Sequence, residues 1–220
     1  MDKNKADQIF KLLEREYADV KTALNYKDAL QLLVATILSA QCTDARVNIV
    51  TDKLFLKYKT AADYAAADIT LFEEEIHSTG FYKNKARNII AAANMIIDDF
   101  FGEVPGDIQD LIKLPGVARK TANVVLYNIF GKNEGIAVDT HVKRLSGRLG
   151  FSVKTDPEKI ENDLMSLFSR DKWGKLSNLL IAHGRSTCKA LKPACRGCVL
   201  KSLCQAYKDF YPEITNLAGS

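Results

Sequence analysis

Three groups of residues in this 220-residue chain have types and spacings that could do chemistry: a lysine just after a Pro-Gly turn, an aspartate 19 positions later, and four closely spaced cysteines. Pro115-Gly116 interrupts the chain between the apolar segment Ile108 to Leu114 and the helical run Arg119 to Phe130, which predicts a tight helix-turn-helix reversal. Amides at such a turn point outward. At a helix start, where the macrodipole is positive, they form a site for a phosphate oxygen that is blind to base sequence. Lys120 falls in the first turn of the second helix. There the dipole, the neighbouring Arg119 and partial burial are all expected to disfavour the cationic form, and the neutral amine is the nucleophile.

Asp139 precedes Thr140-His141-Val142-Lys143-Arg144-Leu145 and reads first as a helix N-cap. A helix from Lys120 to Phe130 runs only about 15 Å and the return segment can span about 25 Å, so amine and carboxylate can meet. One residue can hold both roles. The cysteines form the array Cys188-x6-Cys195-x2-Cys198-x5-Cys204. Spacing this compact in an intracellular chain argues for a metal centre over disulfides. Four thiolates suit tetrahedral zinc or an iron–sulfur cluster, and ligand count leaves both open.

Composition bounds the class. With 47% hydrophobic and 26% charged residues the chain can bury a good core, which excludes a disordered or fibrous protein. No basic-apolar-small leader opens it, and the longest apolar run, Ala29 to Ala40, is too short for a bilayer, so an intracellular, cytoplasmic protein without a membrane partner is expected. The net charge of +4 is unevenly spread: Lys172 to Lys208 holds eight Lys and Arg (Lys172, Lys175, Arg185, Lys189, Lys192, Arg196, Lys201, Lys208) and no acidic residue. That concentration suits a polyanion; a solvated basic face is the simpler reading.

The elements that must position these groups are helical throughout, with no strand-like alternation and no repeat. Ala6 to Tyr17 is amphipathic, with Ile9, Leu12 and Leu13 on one face. Asp28 caps Ala29 to Ser39, apolar enough to be a central buried helix, and Thr43 caps Asp44 to Tyr58. Polar groups from Ser39 to Asp44 cluster where the buried helix ends, either as caps or, for Gln41, facing a ligand. Short helices at Thr60 to Ala67 and Ile69 to His77 stop at Gly80. Phe81-Tyr82-Lys83-Asn84-Lys85 then opens a helix to Phe100; an exposed aromatic pair beside lysines suits stacking or wedging in nucleic acid, and core packing of Phe81 fits equally. After a bend at Gly102 to Gly106 come a short helix from Asp107, the Lys120 helix, the Asp139 helix to Leu149, one begun by Asp156-Pro157-Glu158, and Trp173 to Arg185. His183 reads as a core histidine and Cys42 as a small hydrophobe.

Taken together, Leu114 to Thr121, Val138-Asp139-Thr140-His141, Ser39-Ala-Gln-x-Thr-Asp44 and the four-cysteine array resemble the endonuclease III family of helix-hairpin-helix DNA glycosylases. The resemblance runs from about Ile9 to Cys204, and the four motifs in this order are highly specific. It implies an all-α fold of two helical domains with a DNA cleft between them: a six-helix domain at 22–134, an iron–sulfur domain from 1–21 and 135–211, and a disordered tail at 212–220. It implies a [4Fe-4S] cluster on Cys188, Cys195, Cys198 and Cys204, with Lys120 as Schiff-base nucleophile and Asp139 as the essential carboxylate. Gln41 and Phe81 match positions that fill the hole left by a flipped nucleotide, and Gly116, Ala118, Arg119 and Thr121 the DNA-binding hairpin. Ser39, Asp44 and His141 border the pocket.

The expected activity is that of a bifunctional glycosylase and abasic-site lyase, a monomer acting on double-stranded DNA with damaged pyrimidines or abasic sites. Two residues depart from the family: Phe81, where leucine is common, leaving opposite-base preference open, and Ala118, where the turn usually reads Gly-Val-Gly. If position 118 needs positive φ, either alanine there is strained by about 1 kcal/mol or the turn differs slightly. A monofunctional relative such as an adenine glycosylase competes, but lacks a lysine at the position of Lys120, and the chain stops soon after Cys204 with no further recognition domain. A non-catalytic DNA-binding protein also competes, but needs neither Lys120 nor Asp139.

Overall fold

The computed structural model describes residues 1–210, so the tail expected at 212–220 lies outside the described residues. Among the described residues there is no strand. The helices are α1 (Lys3–Glu16), α2 (Ala29–Leu38), α3 (Asp44–Lys57), α4 (Ala61–Ala65), α5 (Ile69–Ile76), α6 (Tyr82–Phe100), α7 (Ile108–Leu111), α8 (Arg119–Phe130), α9 (Thr140–Leu149), α10 (Pro157–Leu167), α11 (Trp173–Ser186) and α12 (Tyr207–Phe210). Most begin at an Asp or Thr whose side chain accepts a first-turn amide, as Asp28 does from Gln31 and Asp156 from Lys159. The longer helices without such a cap are α6, α8 and α11.

The chain divides into two compact units, Thr22–Lys132 and Met1–Lys21 with the chain from Asn133 onward. In the first, every residue from Leu32 to Leu38 of α2 is buried. That follows from its nearly unbroken apolar sequence, which lets α3, α6 and α8 pack around it. Helices α4 and α5 lie on α6, and the rings of Tyr58, Tyr64 and Phe72 pack with centroids 5.0, 5.3 and 5.9 Å apart. Helix α7 packs against α8.

In the second unit α11 is the centre, with Leu176, Leu179 and Leu180 fully buried and α1 and α9 against it. Helix α1 presents Ala6, Ile9, Phe10 and Leu13 to this core. Two ion pairs border that seam, Lys172 Nζ to Asp7 at 2.8 Å and Lys175 Nζ to Glu14 at 2.7 Å. Half-exposed pairs of this kind contribute about 0–1 kcal/mol each, so the apolar stripe carries the docking. The basic segment is therefore not wholly a free face: its first two lysines are engaged in holding α1.

Candidate active site and cysteine centre

The hairpin is built as the Pro-Gly signal predicts. The Val117 amide donates to the Leu114 carbonyl at 3.0 Å, Pro115 occupies the second position of that turn, and Gly116 the third with φ 80°. Positive φ at that third position is what a type II turn demands of glycine. Space demands it too, since a Cβ on Gly116 would lie 2.9 Å from the Asn88 Cβ of α6. Val117 and Leu114 are buried and fasten the turn, while Gly116, Ala118, Arg119 and Lys120 are exposed.

Ala118 is not strained. It holds φ −83° and ψ 167°, extended backbone that alanine adopts freely, because the positive-φ step of the turn is taken at Gly116. Its consequence is different: alanine has no side-chain oxygen, so α8 begins without a cap. The Lys120 and Thr121 amides, in the positions a cap would take, are left for an outside acceptor at the positive end of the helix. Lys120 is exposed rather than partly buried, because the second helical position at an uncapped start projects beyond the core.

A second group lies in the same unit. Gln41, just past α2, and Phe81, just before α6, are both exposed, Phe81 at 64%, and both have left-handed backbone. Of the two readings open for Phe81, core packing is thereby excluded. Tyr82 beside it is half-buried, packed with His77 at a ring separation of 4.4 Å. Lys85 corrects the expectation of a lysine-flanked surface, being only 4% exposed with Nζ donating to the carbonyls of Leu38 and Thr79 at 2.7 and 2.9 Å. Its role is invisible in the motif but not in the spacing, because positions 85, 86, 89, 92, 93 and 96 are the buried stripe of α6. Ser39 Oγ donates to the Thr36 carbonyl, and Asp44 opens α3 behind the Thr43 cap.

In the other unit Asp139 caps α9: one carboxylate oxygen, Oδ1, accepts from the amides of His141 and Val142, each at 2.8 Å. His141 is half-buried and its Nδ1 accepts from Arg144 Nη2 at 3.1 Å, which assigns the proton to Nε2 in the neutral ring. Burial and then Arg144 and Arg185 lower its pKa against the raising effect of Asp139. Arg144 also donates to the carbonyls of Gly184 and Cys188, at 2.9 and 3.0 Å. Helices α9 and α11 approach so closely here that a Cβ on Gly184 would lie 2.9 Å from His141 Nδ1. Arg144 and Arg148 were not singled out by their spacing; arginines one turn apart on an amphipathic helix look like solvent-facing charges.

The four cysteines line one pocket together with Leu145, Leu149, His183 and Leu200. Burial pushes the Cys198 thiol up to about 11 and raises Cys195 and Cys204. Donors face the sulfurs: the Leu200 amide at 3.4 Å from Cys198 Sγ, and Arg148 Nη1 at 3.3 Å from Cys188 Sγ. Such donors suit thiolates rather than thiols. Arg148 reaches further, to the carbonyls of Lys189 and Ala190 at 2.8 and 3.0 Å, and so braces the loop. His183 is the core histidine expected, 2% exposed, with Nδ1 against the Tyr17 hydroxyl at 3.0 Å and burial holding its pKa down to about 4. Its Nε2 lies 3.4 Å from Cys198 Sγ, a contact the sequence did not suggest. Among the described residues no group of three or more His, Cys, Asp or Glu side chains is arranged to hold one metal ion.

Comparison with known proteins gives these features a context. Residues 34–170 match the family described as HhH-GPD superfamily base excision DNA repair protein. An endonuclease III of Synechocystis sp. is 52% identical over 202 residues, covering 92% of each chain. A solved non-covalent endonuclease III–DNA complex superposes with a TM-score of 0.92 at 42% identity, covering 96% of this chain and 99% of that one. A trapped endonuclease III–DNA covalent intermediate gives a TM-score of 0.91 at 43% identity, with the same coverage.

Proposed function

The chain belongs to the HhH-GPD superfamily of base excision DNA repair proteins, within its endonuclease III family, and on that premise we propose that it excises oxidised pyrimidines from duplex DNA and cleaves the abasic sugar that results. The observation that carries this reading is the hairpin: an exposed lysine at an uncapped helix start, three residues after a turn whose amides suit a phosphate. A phosphate anchored there fixes where the adjoining sugar lies, and Lys120 is the nucleophile that sugar meets.

The Lys120 amine bonds to C1′ as the glycosidic bond breaks, and the base leaves with the bonding pair and takes up a proton. Opening of the C1′–O4′ bond gives a protonated imine between Lys120 and the sugar. Loss of a C2′ proton expels the 3′ phosphate by breaking its bond to C3′, and water then hydrolyses the imine to free the lysine. Asp139 is the carboxylate that stabilises positive charge building on the sugar, or accepts a proton from the amine. What supports this second role is that a single oxygen of Asp139 satisfies both capping amides. Gln41 and Phe81 fill the space that the extruded nucleotide leaves, supported by their exposure and constrained backbone.

The cofactor of this reading is a [4Fe-4S] cluster, which Cys188, Cys195, Cys198 and Cys204 would hold and which would fix the fold of the basic loop they span. Its support is that the four thiols share one pocket and that the Leu200 amide and Arg148 donate toward their sulfurs. No helix among the described residues is long and apolar enough to cross a membrane. On this reading the protein acts on DNA in the cytoplasm, with the nucleoid.

Incubation with an abasic duplex and borohydride tests the mechanism. Reduction of the imine gives a stable crosslink in the wild type and none in Lys120→Ala; a crosslink that survives Lys120→Ala, or none at all, refutes it.

A further inference from the structure

Gln41 and Phe81 stand on separate loops of the Thr22–Lys132 unit, both exposed, with φ 52° and 49°. Non-glycine residues keep left-handed backbone only where their surroundings hold them to it. One buried group touches both loops. Lys85 Nζ donates at 2.7 Å to the carbonyl of Leu38, the last residue of α2 and three before Gln41. At 2.9 Å it donates to the carbonyl of Thr79, the last residue of the 3-10 turn His77–Thr79 and two before Phe81.

A buried ammonium is costly, and this one is held by neutral carbonyls. Burial lowers its pKa, and Cys42 is the titratable neighbour that opposes this. An apolar side chain of similar length would fill the space without that penalty. What it could not do is hold two carbonyls at a set separation. Both carbonyls belong to helix C-termini, where unpaired acceptors and the negative dipole end favour a cation.

We propose that Lys85 is a positioning residue, the strut that sets Gln41 and Phe81 relative to each other so that both enter the space of an extruded nucleotide together. This rests on the reading of those two residues as hole-filling. It explains why a lysine sits on the apolar stripe of α6.

The test compares wild type and Lys85→Met on a duplex with one oxidised pyrimidine and on the same duplex with an abasic site. An abasic sugar has no stacked base to extrude, so the ratio of excision rate to β-elimination rate should fall about tenfold or more in the variant. In a Gln41→Ala, Phe81→Ala background the same substitution should leave the ratio unchanged, because the strut has nothing left to position. Two rates that fall in parallel with the melting temperature, or equal effects in both backgrounds, overturn the proposal. Should Lys85→Met fail to fold, Lys85→Arg lengthens the strut and must also lower the ratio; an unchanged ratio overturns it. A wild type inactive on both duplexes overturns the glycosylase reading and the strut with it, whereas an active wild type whose variant keeps the ratio overturns the strut alone.

Discussion

Asp139 joins a structural and a chemical role in one side chain, and two substitutions separate them. Its Oδ1 accepts both first-turn amides of α9, at 2.8 Å each. Asparagine offers the same oxygen to the same amides and loses only the negative charge at the positive helix end, a cost of about 0.3–1 kcal/mol. Alanine loses the cap as well, for a further cost of about 1 kcal/mol. For a chain of this length each kcal/mol lowers the melting temperature by roughly 2–4 °C, so Asp139→Asn should melt within about 4 °C of wild type and Asp139→Ala lower by about 3–8 °C. Activity follows another rule. Removing a charge that stabilises the transition state costs about 10²–10³ in rate, and both variants remove it. Thermal melts by circular dichroism, with single-turnover excision from a one-lesion duplex, read the two quantities separately. An Asp139→Asn protein within about threefold of wild-type rate would reduce Asp139 to a cap and refute the assigned chemistry.

Two further substitutions probe the hairpin. Ala118→Asp supplies the missing cap of α8 and should stabilise the protein by about 0.5–2 kcal/mol, while DNA affinity falls at low salt because the new carboxylate takes the amides and repels the phosphate; fluorescence anisotropy with a melting curve checks both, and unchanged affinity refutes the phosphate site. Gly116→Ala forces a side chain into positive φ and against Asn88, a combined cost of about 2–4 kcal/mol, to be read as a lower melting midpoint in urea; a loss below about 1 kcal/mol would mean the turn relaxes freely.

The helices were legible because their signals are local. Asp28, Thr43, Asp107 and Asp156 each cap the helix that their position predicts, and the continuous apolarity of Ala29 to Leu38 makes α2 central. The hairpin was legible down to the turn residue, since Pro115-Gly116 specifies a backbone and not merely a loop. Ala118 stayed open because a resemblance supplies a residue type without its dihedral angles; the condition for strain, positive φ, is not met at φ −83°. Lys85, Arg144 and Arg148 were hidden for another reason. Each donates to backbone carbonyls, Lys85 across 47 positions and Arg148 across 41, and carbonyls carry no sequence signature. The pairing of Lys172 and Lys175 with α1 was hidden likewise by 165 and 161 positions of separation, so a helix anchor looked like part of a uniform basic surface.

The distribution of caps carries its own argument about where this fold gives up stability. Of the three longer helices that start without a side-chain cap, α11 continues directly from the 3-10 turn Arg170–Lys172, whose Arg170 carbonyl accepts from Trp173, and so needs none. The other two have no such continuation. Helix α6 starts after Phe81, an aromatic held at positive φ, and α8 after Ala118, which offers no acceptor. An aspartate at position 118, whose backbone is extended, would add about 1 kcal/mol. Both helix starts instead present an exposed group to solvent, Phe81 at one and Lys120 at the other. At α6 and α8 the missing cap falls where the proposed site needs a projecting side chain or exposed amides. A cap would satisfy at α8 the same amides a phosphate must reach, so the stability forgone there and the affinity expected there are two readings of one vacant hydrogen-bonding position.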